Sequence, residues 1–150
     1  MDETPLHVRR LLTYWRSIGV PFLPGVSERE IELFESRHRV QLPSDFRAFF
    51  LATNGTFVEG TTGADLRDFD FWRLEDLKPV EGEPTVLYFA DCMQGSWQYA
   101  IAVEDGPLRA GSVAYVSPTF VVLAKSYREF IDLYLRDDPL LYSREADSGL

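Results

Sequence analysis

The chain has 150 residues, of which 45% are hydrophobic and 26% charged, and its formal net charge is −9 with a pI near 4.7. This length and composition are typical of one folded domain, and they disfavour disorder except at the ends of the chain. The negative charge disfavours direct binding to the phosphates of nucleic acids, and it suits either simple solubility or a basic protein partner.

The sequence carries no pattern typical of a membrane or secreted protein. Its single cysteine, Cys92, excludes an internal disulfide, which fits a reducing compartment. No stretch approaches the roughly 18 apolar residues that a membrane-crossing helix needs. Residues 1–10 mix acidic and basic side chains instead of placing a basic cap before an apolar run, so they do not predict a signal peptide. We expect a cytoplasmic protein that does not bind membranes.

Two helices are predicted at the start of the chain. Apolar residues at spacings of three and four indicate the first over residues 5–18. The second has the clearest start signal, because Ser27 precedes Glu30 by the three residues of a capping box, in which each residue satisfies an amide at the helix start. Val26 and Ile31 occupy the two positions of a hydrophobic staple.

A third helix is predicted after Leu42-Pro43, with Ser44 as its N-cap. Its core-facing residues are phenylalanines at helical spacing. Asn54-Gly55 is predicted to close this helix, because both residue types tolerate the left-handed conformation that a helix C-terminus usually needs.

The periodicity changes between residues 56 and 125, where alternating and continuous apolar runs predict strands. A last helix starts at Ser126, which forms a second capping box with Glu129, and ends before Pro139. Helices segregated from a mainly antiparallel sheet predict an α+β domain, with N-terminal helices and a C-terminal helix packed on the sheet. We expect its core around eight side chains: Phe34, Phe46, Phe49, Trp97, Tyr99, Ile101, Phe130 and Ile131.

Several of these segments resemble the SUKH superfamily, whose members include the Smi/Knr-type regulators of cell-wall assembly and bacterial toxin-immunity proteins. The segment SEREIELFE resembles the family's opening helix motif. The continuation VQLPSDFRAFF and the following TNG are closer still, and later segments resemble the central hairpin and the last strand and helix. These segments are residues 27–35, 40–50, 53–55, 89–91, 95–101 and 122–130.

The resemblance implies a SUKH-like fold with its core at about residues 27–135, in a single domain over residues 1–150. Its motifs set helix entries and exits and carry no chemistry, so the implied function is by analogy. Many bacterial members are immunity proteins that bind and block a polymorphic toxin. The eukaryotic regulators also act through protein contacts.

The sequence does not favour catalysis or metal binding. His7 and His38 are the only histidines, and we expect both on exposed helix surfaces, without the serine elbow of a nucleophilic triad. One cysteine and two distant histidines do not make a zinc site, and Cys92 is expected to be a buried or loop residue. We therefore expect no catalytic residue, cofactor or metal ion.

An acidic cluster supplies most of the candidate partner contacts. Asp68 and Asp70 alternate with Phe69 and Phe71, so their carboxylates are expected to share one strand face. Such a face would suit arginines and lysines of a partner, simple solvation, or a hard cation, although the glycine and terminal glutamate of an EF-hand loop are missing. The candidate contacts are Glu59, Asp65, Asp68, Asp70, Glu75, Asp76, Asp91 and Gln94.

The leading hypothesis is a non-enzymatic immunity protein that binds a cognate toxin domain, which we expect to be basic, such as a nuclease. One alternative is a regulatory scaffold that binds a host protein. A third hypothesis is a metal-dependent enzyme that uses the acidic cluster over residues 65–76. The sequence leaves the oligomeric state open.

Overall fold

The computed structural model describes residues 4–56, 68–93, 95–117 and 119–142. The described helices are α1 (Leu6–Ser17), α2 (Glu28–His38), α3 (Ser44–Ala52) and α4 (Tyr127–Leu135), with short 3₁₀ helices at Leu74–Asp76 and Pro139–Tyr142. The described strands are β1 (Phe69–Phe71), β2 (Lys78–Val80), β3 (Glu83–Cys92), β4 (Trp97–Ala102), β5 (Val113–Ser117) and β6 (Thr119–Ala124). None of the described helices is long and apolar enough to span a bilayer.

The six described strands form one antiparallel sheet. Five of them follow the order β1-β3-β4-β5-β6, and β2 also pairs with β3. The long strand β3 has two partners on one edge, because β1 pairs with its last residues and β2 with residues nearer its start. The helices pack against one face of this sheet, which confirms the predicted α+β architecture.

A β-bulge in β3 decides which side chains reach each face. Tyr88 pairs with Ala100, but Ala90 pairs with Tyr99, so Phe89 is an extra residue in the strand. Phe89 and Ala90 both belong to the core on the helix side. The next residue, Asp91, consequently points to the opposite face, which it would not reach in a regularly alternating strand.

The helix-side core agrees with most of the sequence prediction. Seven of the eight expected core side chains are buried, and Trp97 is the exception. Trp97 is half-buried and lies against Tyr115 and Tyr142, with ring centroids 5.4 and 6.3 Å away. It therefore covers the edge of the core, which the simple alternation with Ile101 did not predict.

Helix α1 also contributes to the core, since Trp15 is fully buried and donates its indole N–H to the Tyr134 hydroxyl at 3.0 Å. His7 is buried as well, with its Nε2 3.1 Å from the carbonyl oxygen of Asp45, so its predicted exposure is wrong. The reason is that position 7 lies one turn before Leu11 on the inward stripe of the helix. His38 is exposed as predicted.

The helix starts show which local signals were sufficient. The hydroxyls of Ser27 and Ser126 accept from the Glu30 and Glu129 amides at 3.1 and 3.2 Å, which confirms the serine half of each predicted capping box. The predicted N-cap role of Ser44 is wrong. The cap position is taken by Pro43, whose extended backbone leaves Ser44 already inside α3.

The predicted end of α3 at Asn54-Gly55 is also wrong. The helix ends at Ala52, and Thr53 is extended because it pairs with Pro24 in an isolated β-bridge. Only Gly55 of the two predicted residues has a positive φ, 88°, and it lies beyond the helix end.

A buried hydroxyl in this core leads to a first stability prediction. The Tyr127 hydroxyl has no hydrogen-bond partner among the described residues, and burial raises the pKa of this phenol well above its usual range. Tyr127→Phe is therefore expected to leave the free energy of unfolding unchanged or to raise it by up to about 1 kcal/mol.

The matched variant is Tyr99→Phe, because the Tyr99 hydroxyl donates to the Leu141 carbonyl at 2.8 Å. Its loss should cost about 0.5–1.5 kcal/mol, measured by urea unfolding of both variants. A larger loss in Tyr127→Phe than in Tyr99→Phe would contradict this assignment.

Candidate functional site

The candidate site lies on the face of the sheet that points away from the helices, which we call the outer face. Its apolar residues form a second cluster, separate from the helix-side core, and the described members of this cluster include no helical residue. The cluster consists of Val80, Val86, Tyr88, Ala100, Ala102, Leu108 and Ala114, with Trp72, Val116 and Phe120 partly buried against it. The outer face thus combines aromatic and aliphatic side chains, some of which remain accessible.

Two carboxylates face each other on the outer face. Asp70 in β1 is the direct cross-strand partner of Asp91 in β3, and directly opposed residues in an antiparallel pair project on the same side. Asp70 is only 7% exposed and Asp91 is half-buried. The two carboxyl groups make this part of the outer face acidic, so it is a candidate for interaction with a cation.

The environment of Asp91 changes its acidity. Burial raises the pKa of the Asp91 carboxyl above its usual range, and a hydrogen bond from the Trp72 side chain opposes this shift. The charged form of Asp91 is therefore partly desolvated and only partly compensated by the protein itself.

A cavity of about 280 Å³ opens beside this carboxylate, lined by Trp72, Asp76, Lys78 and Asp91. The ammonium group of Lys78 lies 5.9 Å from the centroid of the Trp72 ring, within the range of a cation–π interaction. The cavity therefore has an aromatic wall and an anionic wall, and a cation of the same chain already lies over the aromatic one.

The first 3₁₀ helix holds two other acidic candidates in place. Arg73 binds Asp76 through two hydrogen bonds, from Nε at 2.7 Å and from Nη2 at 3.3 Å. Asn54 accepts from the Leu74 amide at 2.8 Å and donates to Glu75 at 3.1 Å.

The exposed Glu75 carboxylate is nevertheless stabilised in its charged form. Partial burial raises the pKa of Glu75, but hydrogen bonds from the Asn54 amide and from the backbone of Glu75 itself, together with the charge of Arg73, outweigh it, so the pKa lies below its usual range. The Asp76 charge is already compensated by Arg73, which leaves Asp91 as the less satisfied carboxylate of the cavity.

The structure brings together only some of the residues that the sequence analysis selected. Asp76 and Asp91 line the cavity beside Trp72, Asp70 lies across from Asp91, and Glu75 precedes Asp76 on the 3₁₀ helix. Glu59, Asp65 and Gln94 lie outside the described residues. As partner contacts, all of these residues remain predictions.

The expected common strand face of Asp68 and Asp70 is wrong. Asp68 precedes β1 and has a φ of 57°, so the alternation of the strand does not extend to it. Trp72 and Lys78, which line the same cavity, were not among the contacts predicted from the sequence. The signal for Trp72 was available, because it lies two residues after Asp70 and continues the same alternation.

No group of three or more histidine, cysteine, aspartate or glutamate side chains in the described ranges is arranged to hold a metal ion. Cys92 is buried, as expected from the sequence.

The raised pKa of Asp91 leads to a prediction on stability and pH. A carboxyl whose pKa is higher in the folded than in the unfolded state favours folding below the unfolded pKa, and this contribution disappears as the pH rises through the folded pKa. Asp91→Asn keeps an acceptor for Trp72 and removes the desolvated charge. The variant should therefore gain stability relative to the original chain as the pH rises through the acidic range.

Urea unfolding of both proteins between about pH 3 and pH 7 measures this difference. Curves of stability against pH that run parallel, or a variant that is the less stable of the two at neutral pH, would contradict the prediction.

Comparison with known proteins identifies the family. The sequence model of the SMI1 / KNR4 family (SUKH-1) matches residues 25–133, which is well over half of the chain. No curated protein matches the chain. The family match covers α2, α3, the sheet and most of α4, in agreement with the resemblance of residues 27–135. The chain belongs to the SMI1 / KNR4 family (SUKH-1) and thus to the SUKH superfamily.

Proposed function

We propose that the chain is a non-enzymatic immunity protein, which binds a toxin domain in the cytoplasm and blocks its active site or substrate surface. The observation that carries this proposal is the outer face, where opposed carboxylates lie next to accessible aromatic and aliphatic side chains. Membership of the SUKH-1 family supports the same function by analogy.

The composition of the outer face suits protein recognition. Val122 is 56% exposed, and its cross-strand partner Ala114 belongs to the outer cluster, so Val122 projects on this side of the sheet. Phe120 and Trp72 are half-buried on the same side. Accessible aromatic residues surrounded by other packed side chains are typical of the residues that dominate binding energy at interfaces.

The charge of the chain suits a basic partner, such as a nuclease domain. With a net charge of −9, the protein would attract a basic toxin over a distance and raise the rate of association. Such steering weakens with ionic strength, so the association rate should fall as salt is added. The half-lives of complexes held by short-range contacts should change less.

The proposal is tested with the product of the toxin-like gene adjacent to the gene for this chain. We expect co-expression to restore growth, the two proteins to co-purify, and calorimetry to give a defined stoichiometry. Failure to bind any neighbouring toxin domain, together with no rescue of growth, would overturn it. Binding to a host protein without rescue would instead support the regulatory scaffold.

A matched pair of variants locates the binding face. Val122→Arg places a bulky cation on the outer face, whereas Leu33→Arg makes the same change at a side chain that is 49% exposed on α2, on the helix side. We expect only Val122→Arg to weaken toxin binding, by about 10-fold or more, as for a charge introduced into an interface core. Equal effects of the two variants would exclude the outer face as the binding site.

A further inference from the structure

We infer that the cavity beside Trp72 receives an arginine side chain of the partner, held between the Trp72 ring and the Asp91 carboxylate in place of Lys78. This inference rests on the proposed function, which makes the partner a basic protein. It adds a specific recognition element, namely one guanidinium and the residues that bind it.

The two walls of the cavity match the two binding modes of a guanidinium. Its planar face stacks on indole rings, and its N–H groups form paired hydrogen bonds with carboxylates. Trp72 and Asp91 offer these two surfaces in one cavity. The cavity of about 280 Å³ far exceeds the roughly 30 Å³ share of one water molecule.

Lys78 shows that a cation is accommodated at this position. Its ammonium lies over the Trp72 ring, and Lys78 forms no ion pair with another described residue. Lys78 is exposed on the short strand β2, so its side chain can turn into solvent at little cost. An ammonium is a point charge, whereas an arginine would contact the ring and the carboxylate at once.

The surrounding charges favour an incoming cation over an anion. Asp76 and Asp91 both line the cavity, and Asp70 lies directly across from Asp91 in the neighbouring strand. Asp76 is bound by Arg73, so this neighbouring pair is an internal example of the same guanidinium–carboxylate contact. Burial raises the pKa of Asp91, as expected of a carboxylate that lacks a cationic partner in the free protein.

The test uses the 150-residue chain and a small probe, so that it does not depend on the toxin. Acetyl-Gly-Arg-Gly-amide is titrated into ¹⁵N-labelled protein, and the indole N–H signals of its three tryptophans are followed by NMR. The control peptide carries citrulline, which has nearly the shape of arginine without the charge. We expect the arginine peptide to shift the Trp72 signal selectively, while buried Trp15 serves as an internal reference for the fold.

Three variants separate the local site from the overall charge. Asp91→Asn should weaken the peptide affinity by about 10-fold or more, since it removes a charge-assisted pair. Lys78→Gln should strengthen it by about 3-fold, because the competing cation is gone. Glu32→Gln, at an exposed position of α2, removes one negative charge on the helix side and should have no effect.

An unshifted Trp72 signal, an equal response to the citrulline peptide, or insensitivity to both Asp91→Asn and Lys78→Gln would overturn the inference. Lys78 is exposed, so its variant remains informative even if Asp91→Asn alters the fold. If the Asp91→Asn variant binds and neutralises the toxin as tightly as the original chain does, the inference is overturned and the proposed function still stands. Selective binding of the arginine peptide, together with failure to bind any neighbouring toxin domain, would support the arginine site and overturn the proposed function.

Discussion

Gly55→Ala is expected to lower the free energy of unfolding by about 2–5 kcal/mol, which combines left-handed strain with steric overlap. The φ of Gly55 is 88°, a conformation that side-chain-bearing residues rarely adopt. A Cβ at this position would also overlap the Phe71 carbonyl oxygen and lie 2.9 Å from that of Trp72. Both oxygens are backbone atoms, so the movement of a flexible side chain cannot relieve the overlap.

Two other glycines separate the two causes. Gly82 has a φ of 78° and no atom within 4 Å of an added Cβ, so Gly82→Ala should cost only about 1–2 kcal/mol of strain. Gly25 has no positive φ, but its Cβ would overlap the Leu51 carbonyl, so Gly25→Ala tests the overlap alone. Urea unfolding followed by tryptophan fluorescence gives the three values. If Gly55→Ala costs no more than Gly82→Ala, the close approach to Phe71 is not significant.

The Asn54-Gly55 motif shows what sequence patterns can and cannot predict. The residues signal a change of direction, and the chain does leave α3 just before them. Their specific roles depend on residues about twenty positions later, because Asn54 binds Leu74 and Glu75 and Gly55 packs against Phe71. A local pattern contains no information on such distant contacts. In the folded chain, this family motif therefore supports the backbone that carries Trp72.

The helices were predictable because their signals are local. The capping serines and the apolar stripes of α1, α2 and α4 lie within the segments that they organise. The faces of β3 were less predictable, because residues 86–90 are continuously apolar and do not reveal the extra residue Phe89. Asp70 and Asp91 were therefore predicted as separate contacts, and their direct cross-strand pairing was not predicted.

Trp97 and Trp15 provide a second comparison. The alternation of β4 predicted Trp97 in the core, yet it lies half-buried at the edge, whereas the fully buried Trp15 was not among the expected core side chains. An apolar stripe on a helix indicates which residues face inward, but it does not indicate how completely other segments bury each of them. The depth of Trp15 depends on Phe22, Phe49 and Phe71, which surround its ring and come from three separate segments.

Trp15→Ala is expected to cost about 3–5 kcal/mol of stability, as for other large aromatic residues removed from protein cores. The substitution removes the ring contacts with Phe49 and Phe71 and the hydrogen bond to the Tyr134 hydroxyl. Trp15 precedes the family-matched residues 25–133. A large loss would therefore show that α1 stabilises the same cooperative unit as the family core, instead of being an independent addition.

Two variants grade this effect within the same helix. Trp15→Phe keeps an aromatic ring but removes the indole donor and some volume, so we expect a loss intermediate between that of Trp15→Ala and that of a surface change. Thr13→Ala, at an exposed position of α1, should change stability by less than about 0.5 kcal/mol. Unfolding is measured by far-ultraviolet circular dichroism, because two of the variants lose a tryptophan. A single transition with a lowered midpoint in Trp15→Ala supports one cooperative unit, whereas a separate early transition with an unchanged main midpoint would show that α1 unfolds on its own.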